Sequence, residues 1–222
     1  MRSEGKLPAV GHSIYDPAER SRAPHREADW SIHTVFHEIA SDDLHIDVYH
    51  VKSSLFRRYE VLVTSGMSAR AMAVPLDSKE SRFAEVLVVL PQGWPLTTRD
   101  FNDERNYWPI RLMKTLARHP HDANTWFGFG HTIANGDSES NTKPYAEGTS
   151  LCACIMLPPA SLGKPAWHLK RSDGNEVFFW AVVPIHLDEL EFKLHHGLDP
   201  LLDLFDKKGV TDKINPTRPS VI

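Results

Sequence analysis

Five groups of residues in this chain have types and spacings suited to chemistry. His33 and His37 stand four apart. On a helix that spacing puts both imidazoles on one face, where they could share a metal ion. Glu38 follows, but His37-Glu38-Ile39-Ala40-Ser41 lacks the second histidine of an H-E-x-x-H pattern. No third ligand stands at a fixed spacing, so half-buried helix histidines are the plainer reading. His45 and Asp47 are two apart, which on a strand points them to one face. A carboxylate beside an imidazole fixes its tautomer and raises its pKa, as acid–base work requires. The same pair also serves as a buried hydrogen bond that sets strand register.

Thr64-Ser65-Gly66-Met67-Ser68 places two serines around a glycine turn without matching the G-x-S-x-G elbow. Gly66 reads there as a residue with positive φ rather than as part of a nucleophile loop. Cys152 and Cys154 share one face of an expected strand. A closed zinc site would need two more ligands, so small apolar filler is the simpler role. Trp126-Phe127-Gly128-Phe129-Gly130-His131 is aromatic and glycine-rich, which permits close backbone approach and lets His131 enter a cleft. No P-loop, dinucleotide fingerprint or EF-hand loop is present. The weak catalytic signal favours a binding protein with no cofactor. The alternative is a metal-dependent hydrolase using His37, Glu38, His45, Asp47 and His131.

The elements that must position these residues follow from periodicity. Residues 1–25 are broken by Pro8, Pro17 and Pro24 and read as an arm, and residues 26–222 as the folded domain. Ile32, Val35, Phe36 and Ile39 predict a helix over 26–40. Strands are expected at 45–51, 59–64, 70–74 and 85–90, as an antiparallel meander. The last of these, Glu85 to Leu90, is a continuous apolar run suited to burial on both faces. A helix is expected to begin near Pro109 and to end at Arg118-His119-Pro120. Strands at 131–134, 151–157 and 177–185 come next, then helices at 187–196 and from Asp199-Pro200 to Lys207-Lys208-Gly209. This order lacks regular βαβ alternation. It predicts a single α+β domain with a mixed, mainly antiparallel sheet packed with helices.

Composition bounds the function. The 222 residues carry 25 basic and 29 acidic side chains, a net charge of −4. That excludes a broadly basic nucleic-acid-binding surface. The longest apolar run, Val177 to Ile185, is far short of the ~20 residues that span a bilayer. The N-terminus has no apolar core segment of a secretory signal. Two cysteines make no disulfide framework, so a cytoplasmic location is expected. From Glu27 to Val51 there are six acidic residues and no Lys or Arg, a stretch suited to a basic surface.

Several blocks then occur in a telling order. Phe36-His37-Glu38-Ile39 leads to His45-Ile46-Asp47-Val48, then to Leu62 through Ser68, Met72 and Pro75. Leu90-Pro91, Trp94, Trp108-Pro109-Ile110, Thr125-Trp126 and Gly130-His131-Thr132 follow, then Pro184, Glu189 and Gly197. From about residue 30 onward the chain resembles the suppressor-of-fused domain family. The resemblance implies an α+β domain that binds other proteins. The family's namesake holds a zinc-finger transcription factor with the help of a further C-terminal domain, which this chain is too short to include. Short members are similar to bacterial proteins proposed as immunity factors, so the implied partner is a toxin domain. The partner-binding or pocket candidates are His37, Glu38, His45, Asp47, Thr64, Ser65, Gly66, Met67, Ser68, Trp126 and His131.

Overall fold

The computed structural model describes residues 32–36, 44–54, 57–136 and 141–222. Among the described residues eight strands form one mixed sheet. They are β1 (Ile32–Phe36), β2 (Asp47–Val51), β3 (Tyr59–Ser65), β4 (Phe83–Pro91), β5 (Thr132–Ala134), β6 (Ala153–Leu157), β7 (His168–Lys170) and β8 (Glu176–Ile185). Their order is β1-β2-β3-β4-β8-β6-β5, with β7 also paired to β8. Every pairing is antiparallel except β4 with β8. A parallel pair needs a long crossover. Here the crossover contains α1 (Glu104–Asp122), β5 and β6. Helices α2 (Leu187–His196) and α3 (Leu198–Lys208) follow β8. The fold is α+β with a mainly antiparallel sheet, as expected.

Alternation along the strands sorts the core into two faces. Val48, Leu62, Val86, Val88, Trp180 and Val182 share one cluster with Trp108, Ile110, Met113 and Leu116 of α1. Ala153, Ile155, Val183 and Ile185 pack with Leu190 of α2 and Leu201 and Phe205 of α3. Val51, Val61, Val63, Leu87 and Phe179 form a third cluster, with Leu162 and Leu169 against it. Along β8, residues 179, 181, 183 and 185 belong to the second and third clusters, and 180 and 182 to the first. A period of two therefore puts the second and third clusters on one face. The helices α2 and α3 cover only part of that face.

Four sequence expectations are corrected. The region expected as a helix over 26–40 contains a strand, Ile32–Phe36; the rest of it lies outside the described residues. Ile32 pairs with Val51 and His33 with His50, and three of these five residues are β-branched. Pairing and β propensity outweigh the helical spacing. Arg70–Val74 forms no strand, because the Met72 and Ala73 N–H groups donate to Arg82 O and Thr125 O, in two different segments. Helix α1 starts at Glu104, not near Pro109, because the Asp103 side chain caps it by accepting from Arg105 N–H. It also runs past Pro120 to Asp122, with Pro109 and Pro120 inside and both buried. Each proline gives up a helical hydrogen bond, and the buried α1 face compensates.

The chain is closed by a buried ion pair. Glu189 is fully buried, and Arg218 reaches it with two bonds of 2.5 and 2.6 Å. The same carboxylate accepts from His186 N–H (2.9 Å) and Val221 N–H (3.0 Å). Arg218 also donates to Pro184 O. Burial raises the Glu189 pKa, but Arg218 and the two amides outweigh it and hold it below the ordinary glutamate value. Stability from this group is therefore present above the unfolded value of ~4.3 and is lost as pH falls through the lower folded value. Arg218→Ala leaves a buried carboxylate without its cation, at an expected cost of about 3–5 kcal/mol. In urea titrations the midpoint should fall accordingly, and acid unfolding should move to higher pH. An unchanged midpoint would refute the clamp.

Candidate functional site

The Thr64–Ser68 block is a turn folded around a buried carboxylate. Thr64 and Ser65 end β3, and Met67–Ala69 is a single 3₁₀ turn. Gly66 between them has φ 124°, and a Cβ there would lie 1.9 Å from His45 O. Only glycine meets both conditions. Glu85 in β4 is fully buried. Its Oε1 accepts from Gly66 N–H (3.0 Å), Ser68 N–H (2.9 Å) and Ser68 Oγ (2.7 Å). Its Oε2 accepts from Thr64 Oγ1 (2.7 Å), which itself accepts from Val86 N–H (2.9 Å). Burial pushes the Glu85 pKa up despite these donors.

Three further elements grip the turn. His121 Nε2 lies 3.0 Å from Met67 O, at the end of α1. Arg171, just after β7, donates to Ser68 O at 2.9 Å. Register brings Asp47 opposite Ser65 and Val48 opposite Thr64, so the H-I-D-V and T-S-G-M-S blocks are neighbours in space. His45 and Asp47 pair at 3.0 Å, with His45 half exposed. Both serines are largely buried and Met67 is completely so. The turn positions backbone; it does not present a nucleophile.

The Trp126–His131 block is a packing corner. The two rings lie 4.5 Å apart, and His131 Nδ1 is 3.3 Å from Trp126 O. A Cβ on Gly128 would strike the Trp126 ring at 2.4 Å. Gly130 N–H donates to Met156 O at 2.8 Å. This corner leads into β5, at the far edge of the sheet from β2. Five strand spacings separate β2 from β5, roughly 24 Å along the sheet. His45 and Asp47 therefore do not meet His131, and the expected hydrolase grouping is not assembled from them. Among the described residues no group of three His, Cys, Asp or Glu could hold a metal ion. His37 and Glu38 lie outside the described residues, as does the side chain of His33.

The two cysteines are buried and free. Burial pushes the Cys154 thiol up to about 12, which makes it unreactive near neutral pH.

On the face left partly bare by α2 and α3 lies an open apolar groove of about 240 Å³. Val51, Val63, Leu87 and Phe179 form its floor, and residues 162–169, which lead into β7, form its wall. Sequence reasoning missed this groove and gave no role to Glu85 or Arg218, nor to Glu189, which it names only among the family blocks. A carboxylate opening the apolar run Glu85–Leu90 was the available signal for Glu85. Nothing in the spacing of Glu189 and Arg218, 29 residues apart, announces their contact.

The arrangement agrees with the comparisons. A family model described as Suppressor of fused protein (SUFU) matches residues 42–219. The chain belongs to the suppressor of fused family. Its fold is similar to that of a SUFU homolog from Neisseria gonorrhoeae FA 1090, with a TM-score of 0.60 and 19% identity. That match covers 87% of this chain and 89% of the other. A chain of a Sufu–Fu complex matches with a TM-score of 0.53 and 16% identity, over 80% of this chain and 77% of the other. Drosophila Suppressor of Fused matches with a TM-score of 0.53 and 15% identity over 80% of this chain. The match covers 43% of the Drosophila chain. No curated protein matches by sequence. Among the described residues no helix is long and apolar enough to cross a membrane.

The Glu85 knot carries a stability prediction. Glu85→Ala strands the Gly66 and Ser68 N–H groups and opens a cavity, at an expected cost of roughly 3 kcal/mol. Thermal unfolding followed by circular dichroism measures it. A loss near zero would mean that the turn holds without its carboxylate.

Proposed function

We propose that this chain is a non-enzymatic, protein-binding domain, and that it works as an immunity protein that neutralises a toxin domain in the cytoplasm. The observation that carries the binding role is the fold shared with a chain of the Sufu–Fu complex, within a family whose model spans residues 42–219. The site residues proposed for partner contact are those around the turn and the aromatic corner: His37, Glu38, His45, Asp47, Thr64–Ser68, Trp126 and His131. The structural support is that the largely buried Thr64–Ser68 turn is held by Glu85, His121 and Arg171 and fixes the half-exposed His45 packed against Gly66. A rigid surface loses little entropy on binding, which favours affinity. The similarity to the Neisseria gonorrhoeae homolog over 89% of that chain supports a bacterial setting, in which a toxin is the natural partner.

The test is affinity capture of the tagged chain from its own cells, with mass spectrometry of what stays bound. The expected result is a stoichiometric partner carrying a toxin domain, whose activity disappears when one equivalent of the purified chain is added. A partner that is not a toxin would keep the binding role and end the immunity role. A chain that stays alone and turns over a substrate would overturn both.

A further inference from the structure

Among the described residues no α-helix covers the apolar groove, and basic side chains stand at one of its corners. Tyr59 packs against the cluster beneath the groove and donates to Ser161 O at 2.6 Å. The Arg57 guanidinium and the Lys213 ammonium each lie 5.9 Å from the centre of its ring. Lys164, between the groove-lining Leu162 and Pro165, is exposed. The carboxylate in this corner, Asp212, is 5% exposed and accepts from the Ser161 N–H and hydroxyl. It is turned inward, while Lys164 and Lys213 are exposed and the half-buried Arg57 donates to Lys52 O. At the other end His168 stands 3.7 Å from Glu176.

We propose that this groove receives an apolar side chain from an acidic segment of a partner protein, whose carboxylates meet the exposed Lys164 and Lys213. The inference rests on the protein-binding reading and names the chemistry of the partner. Size decides against a small-molecule ligand. A cavity of about 240 Å³ falls below the ~300–1,000 Å³ of cofactor and drug-sized sites. It suits one or two side chains. The floor is aliphatic and aromatic, so it gives such an anchor burial without orienting hydrogen bonds. Sign and register must then come from the rim, where exposed charges select partners and speed encounter. A basic rim selects an acidic segment.

The test uses the full chain with labelled valine and leucine methyl groups, observed by NMR. The probe is a short peptide of leucines set among glutamates, and the control has lysine in place of each glutamate. Saturable shifts confined to the methyls of Val51, Val63, Leu87 and Leu169 are expected. Binding should weaken by roughly tenfold or more for the lysine peptide and for a Lys164→Glu/Lys213→Glu variant. Ala166→Trp should abolish the shifts while thermal unfolding confirms that it folds. Equal affinity for both peptides, or shifts elsewhere, would overturn the proposal. Shifts that depend on protein concentration without peptide would assign the groove to a second copy instead. If capture yields a partner but these methyls ignore the acidic peptide, the binding role stands and this surface falls. A peptide response with no captured partner supports this surface and, with it, the binding role.

Discussion

A carboxylate sealed inside a protein must be given donors, and this fold is arranged around giving them to Glu85. An isolated buried charge costs several kcal/mol even after relaxation. Four donors from one five-residue turn meet that cost. Two of them are backbone N–H groups, so the main chain itself must take one path. That path requires Gly66, ends β3 at Ser65, and sets the 3₁₀ turn at Met67–Ala69. The turn's carbonyls then point outward, where His121 and Arg171 take them up. One side chain in β4 thereby ties the meander to the end of α1 and to the β7–β8 hairpin. The parallel β4–β8 pair sits beside this knot, and its long crossover is anchored at both ends.

A second buried carboxylate does a different job. Glu189 has a cation, Glu85 has none. The difference shows in their direction of shift: burial wins at Glu85, and Arg218 with two amides wins at Glu189. Acid therefore weakens the Glu189 clamp, whereas burial makes Glu85 easier to protonate than a free glutamate despite its donors. The clamp holds residues 218–221 against α2 and so keeps α2 and α3 on the β6–β8 part of their face. These helices go no further, and among the described residues the β2–β4 part is roofed by residues 162–169, beneath which the groove lies.

Much of this was legible in the sequence, and the failures have physical causes. The run Glu85–Leu90 reads as a doubly buried strand and is one. Gly66 reads as a positive-φ turn residue and has φ 124°. The fold class follows from the order of elements. The helix expected at 26–40 fails because β pairing with His50 and Val51 competes with local periodicity, and only tertiary structure decides between them. The start of α1 fails because Pro109 looks like a first-turn residue, while the cap that decides is Asp103. At the candidate site, the sequence supplies the donors of the turn but not their acceptor, since Glu85 lies 17 residues beyond Ser68. The Glu189–Arg218 contact and the groove depend on long-range packing that no spacing encodes.

The same contacts bear on whether the chain is built for recognition or for reaction. Proton transfer near neutral pH needs a group that titrates there and can reach a substrate. Glu85 moves in the right direction, but its oxygens are occupied by four donors and it has no exposed surface. Glu189 moves the wrong way, and its cation is committed to it. Cys154 rises to about 12, and burial carries Tyr145 well above the ordinary phenol value. The buried titratable groups are thus spent on holding backbone, not on poised chemistry. What the fold offers outward is an aromatic corner, where Phe129 is exposed, and an apolar groove with lysines at one corner. Each of these is suited to fitting another protein surface.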